Sequence, residues 1–341
     1  MENCGIDLHQ KSSQLTVVDE EGEVLERATI PTSDAAIRRW FGKRPRMRIL
    51  LEASGSSPWV ARLLVELGHE VNVIDPRRVR WIAQSTLKTD RIDADTLAEI
   101  ARLRTKLRTL VWQRSATSQR QRGHLRVRRA LVEARAGFIV TVRGLLRSFG
   151  VRVASCRSDR FAARCQATAI PEELGQVITP LLAAIRDLDA RIAEMDALVE
   201  KVGQLYPAVD SFQAIPGVGP VVALAFLLSL EDPSRFRRSR DVPGYLGLRP
   251  NLRASADVVR RGRITKEGDA DVRRLLVQAG HAHLRSHTDT ALKRWAEGLI
   301  PRIGKRKAIV ALARKLAVLM HRLWVTGEVY QPFPADQAEA A

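Results

Sequence analysis

The sequence of 341 residues predicts a mixed α/β domain followed by two largely helical segments. Strand and helix patterns alternate over the first hundred residues, as is typical of a sheet covered by helices. From Thr89 to about Phe149 the pattern is mostly helical, with a break near 109–115, and a long apolar repeat with helical spacing follows. The expected division is an α/β domain at 1–108, a basic helical segment at 109–210, a mostly helical C-terminal domain at 211–330 and a tail at 331–341.

The first domain is predicted to contain a sheet with helices packed on it. Strand patterns of period two alternate with helical patterns in this part of the chain. Three antiparallel strands followed by helix, strand, helix and strand resemble the ribonuclease H-like fold. The predicted strands are Cys4–Leu8, Gln14–Val18, Glu23–Ile30, Arg48–Glu52 and Glu70–Ile74, and the predicted helices run from about Pro31 to Trp40 and from Trp59 to Leu67.

A heptad seam marks the middle segment. Between Ile178 and Val202, apolar residues recur at alternating steps of three and four residues. This spacing predicts one long helix, which is either a strand of a coiled coil or an ordinary helix of a bundle. The seam consists of Ile178, Leu181, Ile185, Leu188, Ile192, Met195, Val199 and Val202. A second helical run, from Lys305 to Trp324, closes the C-terminal domain.

The net charge of +18 and the pI of about 10.8 indicate a polyanionic partner, and nucleic acid is the simplest one. An arginine-rich codon usage would spread this excess evenly, but it is concentrated. Residues 1–101 carry 14 basic and 16 acidic side chains, residues 102–164 carry 17 and 2, residues 165–211 carry 3 and 8, and residues 212–341 carry 22 and 12. The second stretch predicts an electrostatic footprint with strong salt dependence. Its candidate contacts are Arg120, Arg122, Arg126, Arg128 and Arg129.

Several classes of protein are not indicated by the composition. No apolar run reaches the roughly 20 residues of a membrane span, and the start at Met1–Cys4 has no signal-peptide pattern. Three cysteines without a Cys-x-x-Cys pair argue against a disulfide framework and against a cysteine-rich zinc site. We expect a cytoplasmic protein.

Four carboxylates lie where strands end or where a helix begins. Period-two alternation directs Asp7 away from its apolar neighbours, and Glu52 ends the fourth strand. Asp90 and Asp93 share one face at the start of a helix because they are three residues apart. Converging carboxylates repel unless cations lie between them, and oxygen ligands suit Mg²⁺ or Mn²⁺. The set therefore predicts a metal site for phosphodiester chemistry, whereas each acid taken alone is more often structural.

The run Ala214–Pro220 has the form of a helix-hairpin-helix turn. Gly217 and Gly219 allow a tight turn whose backbone N–H groups can bind a DNA phosphate without reading bases. The alternative is a Gly-Pro connection between two core helices.

Ser255 lies on a predicted loop among basic residues. Guanidinium groups stabilise the charge that develops on a phosphate, so this serine is a candidate nucleophile, although most loop serines form turns. The nearby basic residues are candidate nucleic-acid contacts: Arg260, Arg261, Arg263 and Lys266. His9, two residues after Asp7, is interpreted as a surface histidine, with an approach to the metal site as the alternative.

Short runs along the whole chain resemble, in the same order, the DEDD transposases of bacterial insertion sequences, the IS one-ten family of bridge-RNA-guided recombinases. The Lys-Thr-Asp-x-x-Asp-Ala run and the Ile-Thr-Lys-x-Gly run are the most specific of them. The resembling runs are Gly5–Asp7, Leu51–Ala53, Lys88–Ala94, Ile215–Gly219, Gly247–Pro250, Arg263–Gly268 and Ala311–Ala317.

The resemblance implies a RuvC-like N-terminal domain with a four-acid metal site, a coiled-coil middle and a C-terminal domain that contributes a nucleophilic serine. The four acidic positions are filled by Asp7, Glu52, Asp90 and Asp93. In the family the serine usually precedes a glycine, whereas Ser255 precedes Ala256, which adopts positive φ less readily. The resemblance also implies donor and target DNA, a guide (bridge) RNA and a homo-oligomer, either a dimer or a tetramer. It implies a bacterial protein that associates with the nucleoid when it is active.

Three functions follow, in this order of preference. The first is a recombinase in which Ser255 attacks the phosphodiester and forms a covalent phosphoserine linkage that conserves bond energy for rejoining. The second is a metal-dependent nuclease of the Holliday-junction-resolvase kind, in which water is the nucleophile. The third is a non-enzymatic nucleic-acid-binding protein.

Overall fold

The computed structural model describes residues 1–75, 90–103, 110–255 and 258–333, with the backbone alone at 90–92 and 252–261. The chain divides into two units, Met1–Ser115 and Ala116–Ala341. The α/β character of the first unit and the mostly helical character of the second are confirmed. The finer division at residues 108 and 210 stays a prediction. Within the described ranges, no helix is both long and apolar enough to cross a membrane.

The first unit is built on a mixed sheet of five strands. The strand order is β3-β2-β1-β4-β5; β2 is antiparallel to β1 and β3, and β4 is parallel to β1 and β5. The predicted strands are confirmed, and their ends differ by at most two residues. The elements are β1 (Asn3–Leu8), β2 (Ser12–Val18), β3 (Val24–Pro31), α1 (Asp34–Phe41), β4 (Arg48–Glu52), α2 (Ser57–Glu66), β5 (Glu70–Ile74) and α3 (Asp90–Arg102).

The two faces of this sheet bury different residues because side chains alternate along each strand. On one face Ile6 and Leu51 join Phe41 of α1 and Leu64 of α2 in an apolar core. Burial of each such side chain contributes about 1.5–3 kcal/mol. On the other face a smaller cluster joins the sheet to α3 and consists of Leu50, Ile74, Leu97, Ile100 and Ala101.

Helix α3 crosses β1 in almost direct backbone contact. A Cβ atom on Gly5 would lie 2.1 Å from the carbonyl oxygen of Ala94 and 2.4 Å from the amide nitrogen of Ala98. At the far end of α3, Nη1 of Arg102 donates to the carbonyl oxygen of Glu20 (3.3 Å), in the turn that follows β2 beside the start of β1. Helix α3 therefore runs antiparallel to β1, and its first turn lies toward the C-terminal end of that strand.

The predicted break after this helix is confirmed. Helix α3 ends at Arg102 and the next helix begins at Ala116. Between them the N–H of Val111 donates to the carbonyl oxygen of Val73 (2.7 Å), and Leu110 forms a bridge with Ile74. The chain thus passes along the edge of β5 before it enters the second unit.

Two long helices lie antiparallel in the second unit: α4 (Ala116–Ser148) and α6 (Glu172–Gly203). Arg128 forms an ion pair with Asp196, and Arg135, seven residues later on α4, pairs with Asp189, seven residues earlier on α6. The predicted long helix is confirmed, and its seam residues Ile178, Ile185, Ile192 and Val199 are buried. The coiled-coil interpretation stays a prediction. A short helix, α5 (Phe161–Gln166), lies between the two in sequence.

The C-terminal part of this unit is assembled around one buried helix. Every residue of α8 (Pro220–Leu230) from Ala223 onward is buried, and its neighbours include Phe212, Leu276 and Leu316. The predicted helical finish is confirmed as α12. The other elements are α7 (Pro207–Gln213), α9 (Val242–Tyr245), β6 (Pro250–Ser255), β7 (Val258–Ile264), α10 (Ala270–Arg285), α11 (Ala291–Ile303) and α12 (Lys305–Thr326).

Strands β6 and β7 form an antiparallel hairpin that the sequence reading did not predict. The sequence predicts a loop around Ser255, whereas in the structure Ser255 is the last residue of a strand. The period-two pattern of these strands was hidden because arginines occupy several of their positions, including Arg253, Arg260 and Arg261. The predicted tail at 331–341 lies mostly outside the described residues.

Candidate active site and nucleic-acid interface

Asp7 and Glu52 lie side by side at the ends of neighbouring parallel strands. Gly5 of β1 pairs with Leu50 of β4, and two residues farther along come Asp7 and Glu52. Two residues along a strand return to the same face, so both acids share the face that α3 covers at Gly5 and Leu50. The side chain of Asp7 is 15% exposed and that of Glu52 is half-buried.

Asp90 and Asp93 begin the helix that covers this face. Asp93 precedes Ala94, whose carbonyl oxygen meets Gly5, and the helix starts at Asp90. Because α3 runs antiparallel to β1, its first turn lies toward the strand end that carries Asp7. The backbone therefore brings all four predicted acidic positions to one end of one face of the sheet. The Asp90 side chain lies outside the described atoms, and among the side chains that are described no three acids, histidines or cysteines form a metal-sized group.

The position of α3 along the sheet is fixed by an acid that the sequence reading missed. Asp95 accepts a hydrogen bond from the Thr16 hydroxyl (2.7 Å) and a bidentate pair of bonds from Arg27 (3.0 Å each). Thr16 pairs with Gly5 across β1 and β2, so this contact is made where α3 crosses the sheet. The spacing of residues in the sequence does not indicate this role of Asp95, because Arg27 and Thr16 are 68 and 79 residues away from it.

His9 contacts the first of the four acids. Its Nε2 lies 3.0 Å from Oδ2 of Asp7, and its side chain is 49% exposed. His9 is therefore at the surface, and it also contacts an acid of the predicted metal site, which was the alternative.

The predicted hairpin between α7 and α8 packs directly on α10. Gly217 has a φ of +85°, and a Cβ atom there would lie 2.6 Å from the amide nitrogen of His283 and 2.7 Å from the carbonyl oxygen of Ala279. By contrast, a Cβ atom on Gly219 would meet nothing within 4 Å. Gly217 is therefore required for packing as well as for the turn, and binding of a phosphate by the hairpin stays a prediction.

His283 ties this hairpin to the start of α11, and no signal in the sequence pointed to it. Its Nδ1 donates to the carbonyl oxygen of Pro216 (2.6 Å), and its Nε2 accepts from the Thr290 hydroxyl (3.0 Å). Burial lowers the pKa of His283 despite the hydrogen bond to Pro216. The neutral imidazole is the form that can donate on one side and accept on the other.

Ser255 ends β6 and pairs with Val258 of β7, so it lies at the tip of the hairpin. Its side chain and the following residues Ala256 and Asp257 lie outside the described atoms, as do the side chains of Arg260 and Arg261. Arg263 and Lys266, on the strand that returns from the tip and just beyond it, are exposed.

The base of this hairpin is held by two of the runs singled out in the sequence. A Cβ atom on Gly247 would lie 2.0 Å from the carbonyl oxygen of Glu267, and one on Gly268 would lie 2.0 Å from the carbonyl oxygen of Tyr245. The N–H of Lys266 donates to the carbonyl oxygen of Gly247 (3.1 Å). The Gly247–Pro250 and Arg263–Gly268 runs are thus packed backbone against backbone, which directs the strand that carries Ser255.

Three of the five arginines proposed as nucleic-acid contacts on α4 form ion pairs within the chain. Arg122 pairs with Asp269 (2.6 Å), Arg128 with Asp196, and Arg129 with Glu133 and Asp271. The remaining two, Arg120 and Arg126, are exposed.

The Arg122–Asp269 pair is the most buried of these, with side chains 13% and 9% exposed. Burial alone would raise the pKa of Asp269, but the charge and hydrogen bond of Arg122 outweigh it, so this pKa lies below its usual range. The backbone N–H of Val272 and the hydroxyl of Ser229 also donate to this carboxylate.

Comparison with known families and proteins gives consistent matches. Residues 209–296 match the model described as "Transposase IS116/IS110/IS902 family", and residues 4–150 match a second model described as "Transposase". The chain is 31% identical to a "Probable family 20 transposase" of Pseudomonas aeruginosa, over 97% of this chain and 99% of that protein. It is 28% identical to the transposase for insertion sequence element IS1111A of Coxiella burnetii, over 96% and 90%, and 26% identical to that for element IS1328 of Yersinia enterocolitica, over 96% and 97%.

Proposed function

The chain belongs to the IS116/IS110/IS902 family of transposases, enzymes that cleave and rejoin DNA, and we propose that it recombines donor and target DNA through a covalent link to Ser255. The observation that carries this proposal is the placement of Ser255 at the tip of a hairpin whose base is clamped at Gly247 and Gly268. The two matched regions also contain all four proposed acids and the serine. Membership of a transposase family sets aside the non-enzymatic alternative.

The four acids are proposed to hold Mg²⁺, with Mn²⁺ as a substitute. The donor set fits a hard divalent cation because it consists of carboxylate oxygens, two of them on adjacent strand ends and two in the first turn of α3. When bound, the ion supplies positive charge that stabilises the phosphate under attack. Asp7, Glu52, Asp90 and Asp93 would then hold the ion at the edge of the sheet where the strands end.

The proposed chemistry has two balanced steps. In cleavage, Oγ of Ser255 bonds to the phosphorus, the bond from phosphorus to one sugar oxygen breaks, the hydroxyl proton leaves to solvent and the sugar oxygen takes up a proton. In rejoining, a sugar hydroxyl attacks the phosphoserine and the serine oxygen leaves as a restored hydroxyl. Because one phosphodiester replaces another at each step, no external energy source is needed.

A guide RNA and a homo-oligomer, either a dimer or a tetramer, complete the proposal. The net charge of +18 and its concentration in residues 102–164 support binding of a polyanion, and the guide RNA itself is what the family resemblance implies. Sequencing the RNA that co-purifies with the protein tests this directly. We expect one defined species with complementarity to DNA, whereas a random sample of cellular RNA would contradict the guided reaction.

The second candidate, hydrolysis by water, is favoured by the contact of His9 with Asp7, since a histidine beside a carboxylate can accept a proton from water. The two candidates leave different products. A serine nucleophile produces a protein–DNA adduct, and water produces free ends.

The experiment is the trapping of adducts on a nicked suicide substrate that carries the ends of the element. We expect the Ser255→Ala variant to form no adduct, while the Ser158→Ala variant, which alters an exposed serine of the same unit, forms it normally. Asp7→Asn is expected to reduce adduct formation about 100-fold or more, and the matched surface variant Asp34→Asn is expected to retain it. Cleavage by Ser255→Ala without any adduct would establish hydrolysis instead.

A further inference from the structure

The end of α4 carries a cleft lined by arginines that are not among the five named candidate contacts of the basic stretch. Arg143 and Arg147 are four residues apart and therefore share one face of the last turns of α4. Arg152 lies in the segment that follows the helix, and with Val151 and Val153 these arginines line a cleft of about 420 Å³. We name this feature the distal cleft.

The distal cleft is held in shape by one of its own arginines. Nη1 of Arg143 donates to the carbonyl oxygen of Val153 (2.8 Å), and its guanidinium carbon lies 4.9 Å from the centre of the Phe161 ring. Phe161 and Val153 are buried in the same apolar cluster as Leu146 of α4. The segment after α4 is therefore folded back onto the helix, which brings Arg152 beside Arg143 and Arg147.

The arginines of this cleft differ from those nearer the start of α4 in their charge balance. Arg122, Arg128 and Arg135 each form an ion pair with a carboxylate of the same chain. Arg147 and Arg152 are exposed, and within the described portions of the chain neither has an ion-pair partner. A single acid, Asp159, lies among the arginines from residue 143 to residue 164, and it pairs with Arg157.

Gathered positive charges repel one another and lower stability unless an anion compensates them. Nearer the start of α4, carboxylates of the same chain compensate Arg122, Arg128 and Arg135, whereas Arg120 and Arg126 are exposed. Among the described residues, no carboxylate forms an ion pair with the arginines of the distal cleft. Arg143 is nevertheless held in place by its contacts with Val153 and Phe161. Planar guanidinium groups match the oxygens of a phosphate and bind them bidentately.

We propose that the distal cleft binds a phosphodiester of a nucleic-acid backbone. The polymer is either DNA or RNA, because both offer the same phosphate chemistry. The contact positions the polymer along α4 and does not read bases, since guanidinium–phosphate contacts carry no sequence information. This inference rests on the action of the chain on nucleic acid and is independent of the role of Ser255.

The test is the salt dependence of binding by the double variant Arg147→Gln/Arg152→Gln. The matched control is Arg186→Gln/Lys201→Gln, which removes two exposed cations from α6 and changes the net charge equally. Fluorescence anisotropy with labelled duplex DNA and with single-stranded RNA, between about 50 and 200 mM salt, gives the slope of log Kobs against log salt. All proteins carry Ser255→Ala, so binding is measured without any covalent step.

We expect the distal-cleft variant to lower the slope by about one to two for one of the two polymers or for both, because each lost phosphate contact reduces it by nearly one. The polymer affected identifies the source of the phosphate. The control is expected to change the slope by less than half as much. Because Arg147 and Arg152 are exposed and have no ion-pair partner among the described residues, the melting temperature should not fall.

Two outcomes would overturn the proposal. In one, the slopes of the double variant equal those of the control for both polymers. In the other, inorganic phosphate protects the cleft arginines of the Ser255→Ala protein from modification by phenylglyoxal, but the slopes for both polymers stay unchanged. That result would make the cleft a site for small anions. Neither outcome bears on Ser255. If the protein that keeps Ser255 forms no adduct in the trapping experiment while the slope falls here, the nucleophile is refuted and the cleft is kept.

Discussion

Gly5 decides how closely α3 can approach the sheet and thus where the acids of that helix lie. The carbonyl oxygen of Ala94 and the amide nitrogen of Ala98 occupy the space of its missing side chain. Asp93 is attached directly to Ala94, so any displacement of the helix at this point also moves the acid. A glycine in the first strand is therefore part of the construction of the site, although it contributes no functional group.

We expect Gly5→Ala to lower the free energy of unfolding of the first unit by about 1–3 kcal/mol, as is usual for an added methyl in a packed region. Because the clash is with backbone, the helix must shift, and adduct formation should fall as well. Gly55→Ala is the matched control, since a Cβ atom there meets nothing within 4 Å. Equal urea-unfolding curves for both variants would contradict this account of the contact.

Asp269 should give the second unit a characteristic loss of stability in acid. Its pKa is lower in the folded chain than in the unfolded chain. A carboxyl with a depressed pKa stabilises the fold above its unfolded pKa, and this contribution is lost as the pH falls through the folded pKa. The relevant window therefore lies below about pH 4, the usual pKa of an aspartate.

Replacement of Asp269 by Asn should cost about 1.5–3 kcal/mol at pH 7, because Arg122 loses a charged partner. The difference from the wild type should shrink as the pH is lowered through the window, where the wild-type carboxyl is itself neutralised. Urea unfolding at neutral and acidic pH measures both values, with Asp210→Asn, an exposed acid of the same unit, as the control. A difference that is the same at both pH values would refute the linkage.

At the scale of elements, the hairpin between α7 and α8 has a packing role and a proposed phosphate-binding role. Gly217 serves the packing, and Gly219 is the candidate for phosphate binding. Gly217 is pressed against α10, whereas Gly219 caps α8 with open space around it. His283 fixes the carbonyl oxygen of Pro216 in the same turn. The packing role and the phosphate role thus fall on different residues.

Gly217→Ala is expected to lower the melting temperature, because the alanine would clash with α10 and adopt a φ of +85°. Gly219→Ala should leave the melting temperature unchanged and weaken DNA binding, because the added methyl lies where a phosphate would meet the N-terminus of α8. Thermal unfolding and DNA-binding isotherms of both variants give the answer. Unchanged DNA affinity in Gly219→Ala would favour the alternative of a plain connection between two core helices.

The hairpin β6–β7 and the strands of the first unit show which elements the sequence can predict. The strands around Ile6 and Leu51 lie in a regular sheet that is covered on both faces, so their apolar residues mark them clearly in the sequence. The strand Pro250–Ser255 belongs to a two-stranded ribbon with arginines along it, and the pattern there is not apolar on one side. The contacts that hold its base join Gly247 to Glu267 across about twenty residues, which spacing alone does not reveal.

At the scale of the whole molecule, part of the predicted electrostatic footprint is compensated within the chain. The sequence predicts that the basic residues of 102–164 contribute heavily to nucleic-acid binding. In the structure several of these arginines face aspartates that are 54 to 147 residues away in sequence. Arg120 and Arg126 stay exposed near the start of α4, and further arginines without an ion-pair partner among the described residues lie at the distal cleft, a division that only the tertiary fold could show.

The double variant Arg128→Gln/Arg135→Gln should therefore lose stability but leave the salt dependence of DNA binding nearly unchanged. Its two arginines join α4 to Asp196 and Asp189 of α6, so their loss leaves partly buried carboxylates without partners. The free energy of unfolding and the salt slope are measured on the same preparations. A fall in the slope as large as that of Arg147→Gln/Arg152→Gln would mean that the paired arginines also contact nucleic acid.

The four acids illustrate the same limit for the candidate site. The spacing predicts that Asp90 and Asp93 share one helix face, and the strand pattern predicts that Asp7 and Glu52 lie at strand ends. The resemblance to a family added that all four fill the acidic positions of one metal site. The parallel register of β1 and β4 and the antiparallel course of α3 now give a physical reason for it. Asp95 and His283 had no such signal, because their partners come from distant elements.

The central claim is that Ser255 bonds covalently to DNA during recombination. Cleavage with trypsin after Arg253 and Arg260 releases a peptide, residues 254–260, in which Ser255 is the sole hydroxyl-bearing residue. The most direct measurement is the mass of this peptide after a trapped adduct has been trimmed with nuclease. The account predicts a nucleotide phosphate on residues 254–260, and a remnant on any other peptide, or complete cleavage with none, would contradict it.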